Sequence, residues 1–187
     1  MKNIIIDFDG VIYDSIKRFI DIYNNEYLDK VDYKTCKTWN FKECKKIQDR
    51  QEIFKIFDRD DFYFEDEKYF IKDSIRAVNY LSQKSNVTIA TCGTNKSNFN
   101  KQSLCEKVFP NCNFIGITNS SSFEIGKDAI FGDYIIDDHI KNLETNKSRN
   151  KLLFEPNKMD WNSSWVGEVI KTWTEFVGII EFEEDDV

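Results

Sequence analysis

The chain has 187 residues, of which 41% are hydrophobic and 32% are charged, and its net charge is −7. This composition is typical of a globular domain with a buried core, and the acidic balance excludes a surface that as a whole attracts nucleic acid or anionic lipid. The five cysteines form no C-x-x-C pair and there is one histidine, so we expect free thiols in a reducing, cytoplasmic compartment rather than a zinc cluster.

The first predicted element is a strand from Lys2 to Phe8 that ends in two acids. Side chains alternate along a strand, so Asp7 and Asp9 lie on one side of it. Two carboxylates this close repel each other unless a cation lies between them or one keeps a proton. The pair therefore predicts a Mg²⁺ site that takes part in chemistry, with an ordinary Asp-Gly turn as the alternative.

The next stretch, residues 15–70, interrupts the pattern directly after the first strand. Ser15 is predicted to cap a helix that reaches Tyr27, and short helical pieces are expected around Cys44–Ile47 and Glu52–Phe57. We interpret residues 15–70 as a small, mostly helical cap inserted after strand one, and call them the cap segment.

From about residue 70 onward, predicted strands and helices alternate, which favours a parallel sheet with helices on both faces. The predicted strands are Val87–Ala90, Phe114–Ile117, Tyr134–Ile136 and Leu152–Phe154, the predicted helices are Tyr69–Gln83, Ser97–Val108 and Trp165–Val177, and a turn is expected at Thr91–Thr94. The predicted fold is a Rossmann-like α/β core made of residues 1–14 and 71–187, with the cap segment over the carboxyl edge of its sheet.

Four polar elements follow strand ends in this arrangement, and all of them point to one crevice. They are the Asp7/Asp9 pair, Thr91, Lys127 and the Asp137-Asp138 pair. Each has an ordinary structural alternative: a strand-end threonine, a solvated lysine, and a helix start with acids in its first turn. Their common order and placement favour a phosphate and metal site.

This pattern resembles the haloacid dehalogenase (HAD) superfamily of phosphatases, and more closely its 5′(3′)-deoxyribonucleotidase family. The resemblance is carried by Asp7-Phe8-Asp9-Gly10-Val11, the insertion that ends near Phe62–Glu65, the ten-residue step from Lys127 to Asp137, and the run from Tyr134 to Asp138. It covers nearly the whole chain. It implies a HAD-like core and Mg²⁺-dependent hydrolysis of a (deoxy)ribonucleoside monophosphate through an aspartyl-phosphate.

The resemblance also implies a role for each of the four catalytic candidates. Asp7 would be the nucleophile, and Asp9 would protonate the leaving oxygen and later activate water. Thr91 would donate a hydrogen bond to the phosphate, and Lys127 would neutralise the transferring group and hold Asp7.

The implied metal ligands are oxygens from both acidic pairs. Mg²⁺ would bind Asp7, the main-chain carbonyl of Asp9, and Asp138, while Asp137 positions its neighbour. His139 follows this pair where the family often has arginine. We leave open whether His139 acts in the site or only begins a helix.

Aromatic residues are concentrated near the cap segment, where they make up 13 of the 58 residues from 15 to 72, compared with 15% of the chain. Most are expected to form core, and the resemblance nominates Trp39 and Phe57 for stacking on a base. Cys92 and Gly93 would contribute to the phosphate-binding turn, with Cys92 replacing a usual serine. Lys96 would take over from a basic residue that Asn95 replaces, and Ser15 replaces a usual aromatic.

Two alternatives remain open at this point. One is the same chemistry on another small phosphomonoester or on a 3′-phosphate end of nucleic acid. The other is a non-catalytic phosphate-sensing domain. We expect a small nucleotide as the partner, with no nucleic acid and no membrane, and leave a homodimer open.

Overall fold

A computed structural model describes residues 1–118 and 126–185. The strands are β1 (Asn3–Ile6), β2 (Asn86–Gly93), β3 (Asn113–Thr118), β4 (Tyr134–Asp137), β5 (Asn150–Phe154) and β6 (Glu168–Ile170). The helices are α1 (Ser15–Tyr27), α2 (Arg50–Phe57), α3 (Ser74–Lys84), α4 (Asn95–Val108), α5 (Ile140–Thr145) and α6 (Trp173–Asp185), with short 3₁₀ turns at Tyr33–Thr35, Glu67–Tyr69 and Lys127–Ala129. None of the helices in these two ranges is long and apolar enough to cross a membrane.

The strands form one sheet in the order β3-β2-β1-β4-β5-β6, and every neighbouring pair is parallel. β1 lies between β2 and β4, so the chain changes direction across the sheet at this strand. Open α/β sheets bind ligands outside the carboxyl ends of their strands at such a switch point. The predicted Rossmann-like fold is confirmed, and the carboxyl ends of β1, β2 and β4 lie side by side.

The alternating side chains of the strands build a hydrophobic core on each face of the sheet. On one face, Ile4 and Ile6 belong to a large cluster that also includes buried side chains of α3, α4 and α6. On the other face, Ile5 packs in a smaller cluster with Ile140 and Leu143 of α5. The prediction of helices on both faces is therefore confirmed.

The cap segment contributes most of its aromatic side chains to the large cluster. Phe19 of α1 stacks on Phe41 with ring centroids 3.8 Å apart and on Phe57 at 5.3 Å. Burial of such rings is the main stabilising contribution that a short segment of this kind can make. The division into a cap at 15–70 and a core at 1–14 and 71–187 remains a prediction.

Two local predictions for the cap segment are wrong. The residue that caps α1 is Asp14, whose carboxylate accepts from the Lys17 backbone N–H, whereas Ser15 is the first helical residue and donates its hydroxyl to Asp9. The stretch Cys44–Ile47 forms turns rather than helix. Asp and Ser are both good capping residues, so the sequence alone does not separate neighbouring candidates.

The start of α3 also differs from the prediction, because the helix begins at Ser74 and not at Tyr69. Glu67–Tyr69 forms a 3₁₀ turn, and Phe70, which forms an antiparallel bridge with Tyr13, is extended. Asp73 then adopts a left-handed φ of 67°, a conformation that a helix cannot contain.

Two further predictions differ from the structure. Most of the predicted turn at Thr91–Thr94 is strand, and the first part of the helix predicted from Trp165 contains a strand. β2 continues to Gly93, because Cys92 and Gly93 still pair with β3. Residues 168–170 form β6, which pairs with β5, and α6 begins only at Trp173. Both differences arise from pairing with a strand that is distant in sequence, which local patterns do not report.

Candidate active site

A buried lysine joins the ends of two neighbouring strands. Asp7 follows β1 directly, Asp137 ends β4, and Lys127 lies in a 3₁₀ turn ahead of β4. The Lys127 Nζ donates to Asp7 Oδ1 and, at 2.6 Å, to Asp137 Oδ2. All three side chains are buried. Lys127 therefore holds both carboxylates at the carboxyl edge of the sheet.

Asp138 adds a third carboxylate to this group, which we call the acid cluster: Asp7, Asp137 and Asp138. One oxygen from each lies within 4.8 Å of the others. Lys127 forms ion pairs with Asp7 and Asp137, so the three carboxylates and this ammonium together have a formal charge of −2 when all groups are ionised. A divalent cation would balance that charge, and carboxylate oxygens are the ligands that Mg²⁺ prefers. The residues present therefore fit such an ion.

Burial, together with the close spacing of the carboxylates, shifts the pKa values of Asp7 and Asp138 upward. Burial raises the pKa of Asp7 to about 7, although the Lys127 ammonium opposes the rise. Burial and the neighbouring carboxylates raise the pKa of Asp138 well above its usual range. Burial would lower the pKa of Lys127, but Asp137 and Asp7 outweigh that effect and raise it. Carboxyl groups in this position favour protonation or a bound cation.

Asp137 differs from the other two acids because donors surround it. Besides Lys127, its carboxylate accepts from the His139 backbone N–H at 2.8 Å and from the Asn142 amide at 3.1 Å. These bonds match the predicted positioning role better than direct binding of a cation.

The Asp9 carboxylate lies outside the acid cluster, in a second group of polar side chains. Its Oδ1 accepts from Ser15 and, at 3.1 Å, from the Tyr63 hydroxyl. Its Oδ2 accepts from the Lys101 ammonium and, at 3.2 Å, from the Thr91 hydroxyl. The structure thus brings Asp9 and Thr91 together, and only the main chain of Asp9 remains available as the predicted metal ligand.

Lys101 is the least expected residue of this group, because no sequence motif includes it. It lies inside α4 and is 1% exposed, and its Nζ also donates to Thr91 Oγ1 at 2.9 Å. A lysine inside a helix normally reaches solvent, so its type alone carries no signal. Its position in the helix does carry a signal of burial, because Leu104, Cys105 and Val108 follow it at helical intervals on the buried face of α4.

A cavity of about 230 Å³ lies above both groups of polar residues. Its walls contain the predicted substrate residues Trp39, Phe57, Cys92 and Gly93. They also contain aromatic side chains that were not predicted, Phe54 and Tyr63, together with Thr94, Ser97, His139 and Asn142. Lys101 and Lys127 are the cationic side chains that line it within the described residues.

Three predicted residues have surroundings that change their interpretation. Lys96 is not in the cavity wall, because it pairs with Asp60 outside it. His139 both begins α5, where its Nδ1 accepts from the Lys141 backbone N–H at 3.2 Å, and lines the cavity, and burial lowers its pKa. Burial also raises the pKa of the Cys92 thiol, which makes a reactive thiolate unfavourable.

Comparison with solved structures identifies the fold. A HAD-hydrolase from Bacillus subtilis, YfnB, in a magnesium-bound form, is similar over 96% of this chain and 98% of its own, with 14% identity and a TM-score of 0.59. A haloacid dehalogenase-like family hydrolase from Streptococcus pneumoniae matches over 96% and 98%, with 14% identity and a TM-score of 0.61. A protein from Clostridium acetobutylicum described as a predicted phosphatase matches equally far, with 12% identity and a TM-score of 0.60. The fold is that of the HAD hydrolases.

The family follows from the sequence itself. Residues 1–180 match the family described as 5′ nucleotidase, deoxy (pyrimidine), cytosolic type C protein (NT5C). The chain belongs to this family, and the resemblance drawn from its motifs is confirmed. No curated protein sequence matches it significantly.

Proposed function

We propose that the protein is a Mg²⁺-dependent phosphomonoesterase that hydrolyses deoxyribonucleoside monophosphates through an aspartyl-phosphate. The observation that carries this proposal is that the acid cluster and Lys127 lie together, buried, at the base of a cavity with aromatic walls. The carboxylates there outnumber the ammonium group, so the cluster can accept a cation. Membership in a nucleotidase family supports the substrate class.

In the proposed first step, a carboxylate oxygen of Asp7 attacks phosphorus and the bond from phosphorus to the sugar oxygen breaks. Lys127 keeps Asp7 in place and adds positive charge beside the transferring group. Asp9 gives its proton to the departing sugar oxygen. In the second step water attacks the aspartyl-phosphate, Asp9 accepts the water proton, and phosphate leaves as the Asp7 carboxylate returns.

The cation would be held by Asp7, Asp138 and the main-chain carbonyl of Asp9, with Asp137 supporting them. When bound, it would offset the repulsion between the Asp7 carboxylate and an anionic phosphate. Lys127 and Lys101 are the cationic side chains of the cavity wall within the described residues, and both already pair with carboxylates, Lys127 with Asp7 and Asp137 and Lys101 with Asp9. Additional positive charge for an anionic phosphate would therefore come from the cation.

The aromatic wall of the cavity supports a nucleoside as the leaving group. Trp39 and Phe57 come from the cap segment and line the cavity together, with ring centroids 6.0 Å apart. Stacking of a base on such rings contributes about 1–3 kcal/mol per base in measured cases. We propose the cap segment as the specificity element. The net charge of −7 supports a mononucleotide over a polymer.

A panel of nucleoside monophosphates tests the proposal, with ribose and deoxyribose, purine and pyrimidine, and 5′- and 3′-phosphates. We expect phosphate release from deoxyribonucleoside monophosphates, loss of release in EDTA, and recovery with excess Mg²⁺. Asp7→Asn is expected to retain its fold, as judged by circular dichroism, and to lose nearly all turnover.

Three outcomes would contradict it. Turnover that EDTA does not affect would remove the cation from the mechanism, and undiminished turnover by Asp7→Asn would remove the nucleophile. Hydrolysis of other small phosphomonoesters alone would keep the chemistry and reject the nucleotide.

A further inference from the structure

We propose that Trp161 is a positioning residue for the cation site, because its indole N–H fixes the Asp138 carboxylate. Trp161 lies between β5 and β6, in a stretch where the sequence pattern predicts neither a helix nor a strand. Its Nε1 donates to Asp138 Oδ2 at 3.1 Å. The inference rests on the proposed function, since it concerns how the same cation is held.

The Asp138 carboxylate is confined on the side that faces Trp161. Gly10 has a positive φ of 78°, and a Cβ at this position would overlap Asp138 Oδ2. This oxygen is therefore close to both the Gly10 backbone and the indole. The other oxygen, Oδ1, receives no donor from residues 1–118 and 126–185, so it is left to bind a cation. Outer groups that orient a ligating carboxylate in this way strengthen metal binding.

The indole itself is held from several directions. Its ring stacks on Trp39 with centroids 5.4 Å apart and planes inclined by 30°, and it lies nearly parallel to the His139 ring at 6.5 Å. The backbone N–H of Asp160 donates to the Lys37 carbonyl at 3.2 Å, which joins this stretch to the cap segment beside Trp39.

A buried asparagine fixes the turn that carries Trp161. Asn162 is 2% exposed, its Oδ1 accepts from the Met159 backbone N–H at 2.8 Å, and its Nδ2 donates to the Asn157 carbonyl at 3.3 Å. A donor that is fixed before the ion arrives costs little to order on binding. The geometry therefore suits a positioning role and not incidental contact.

The test is Mg²⁺ affinity, measured by titration calorimetry on the full chain without substrate. Trp161→Phe keeps a ring for the stack and removes the N–H donor, and we expect it to weaken Mg²⁺ binding about tenfold. Trp165→Phe is the matched control, because the Trp165 indole donates to the Glu168 carbonyl and does not line the cavity. We expect this control to bind Mg²⁺ as the wild type does.

A second measurement uses the wild type alone, so it does not depend on the folding of any variant. In heteronuclear NMR spectra of the protein labelled with the NMR-active nitrogen isotope, we expect the indole N–H resonance of Trp161 to shift on addition of Mg²⁺. The indole N–H resonance of Trp165 is expected to keep its chemical shift. Equal Mg²⁺ affinity of the wild type and Trp161→Phe, or an unmoved Trp161 resonance during binding, overturns this inference alone. A wild type that binds no Mg²⁺ overturns the proposed function together with it.

Discussion

Lys101 shows how a single side chain can organise a site without belonging to a recognised motif. It places an ammonium between the Asp9 carboxylate and the Thr91 hydroxyl, both of which the motifs do identify. The motif residues come from strand ends, whereas Lys101 reaches the same point from the middle of α4. Its contribution depends on how α4 packs on the sheet, which the sequence pattern does not specify.

We expect Lys101→Met to lower kcat by roughly a hundredfold, in the range measured for acid–base groups, because Asp9 loses its buried partner and its fixed position. Lys107→Met is the control, since Lys107 lies on the same helix and is exposed. The measurement is steady-state phosphate release on the best nucleotide of the panel. A folded Lys101→Met variant with an unchanged kcat would show that Asp9 needs no such partner.

The elements that position the site are those that the sequence predicts best. β1, β2 and β4 have buried apolar runs that end at polar residues, so their existence and common edge follow from local pattern and from the rule for parallel sheets. One of the missed elements, β6, has three residues and, among the described strands, pairs with β5 alone. Its extended conformation depends on that pairing, and no local sequence signal specifies it.

The short helix α2 should depend on its N-terminal cap more than the longer helices do. It has eight residues, and the Asp49 carboxylate accepts from the backbone N–H groups of Gln51 and Glu52 at 2.8 Å and 3.0 Å. Isolated helices of this length are marginal, and loss of such a cap costs about 1 kcal/mol. α2 carries Phe54 and Phe57 to the cavity wall.

We therefore expect Asp49→Ala to raise the KM for a nucleotide several-fold and to leave kcat nearly unchanged. The reason is that α2 supplies the wall of the cavity and none of the acid cluster. Asp49→Ser, which retains a capping oxygen, should behave as the wild type does. A fall in kcat with KM unchanged would contradict a role of α2 in substrate binding.

At the scale of the whole molecule, the buried carboxylates of the described residues lie together at the carboxyl edge of the sheet. The chain has a net charge of −7, and three of its carboxylates are buried together beside one lysine. The motifs predicted that these acids would meet. They did not predict that Lys101 would hold the Asp9 carboxylate outside the acid cluster, or that Trp161 would contact Asp138, because both contacts depend on long-range packing.

This concentration of charge predicts how the stability of the metal-free protein depends on pH. Unfolded Asp7 titrates near its ordinary pKa of 3.8, while in the folded chain burial raises that pKa to about 7. Between these values the folded state keeps a proton that the unfolded state has released, so the stability contributed by protonated Asp7 is lost as pH rises. Asp138 shifts in the same direction.

In EDTA, we expect the Tm of the wild type to fall as pH rises from about 5 toward 7, and the fall to be smaller in Asp7→Asn, which has no proton to lose there. Mg²⁺ should raise the Tm of the wild type by an amount that grows with pH, since the ion replaces the proton on the acid cluster. Thermal unfolding followed by circular dichroism measures both effects. A wild type and an Asp7→Asn variant with parallel profiles would mean that Asp7 ionises in the folded chain as readily as in the unfolded one, which would contradict a raised Asp7 pKa as a cause of the pH dependence.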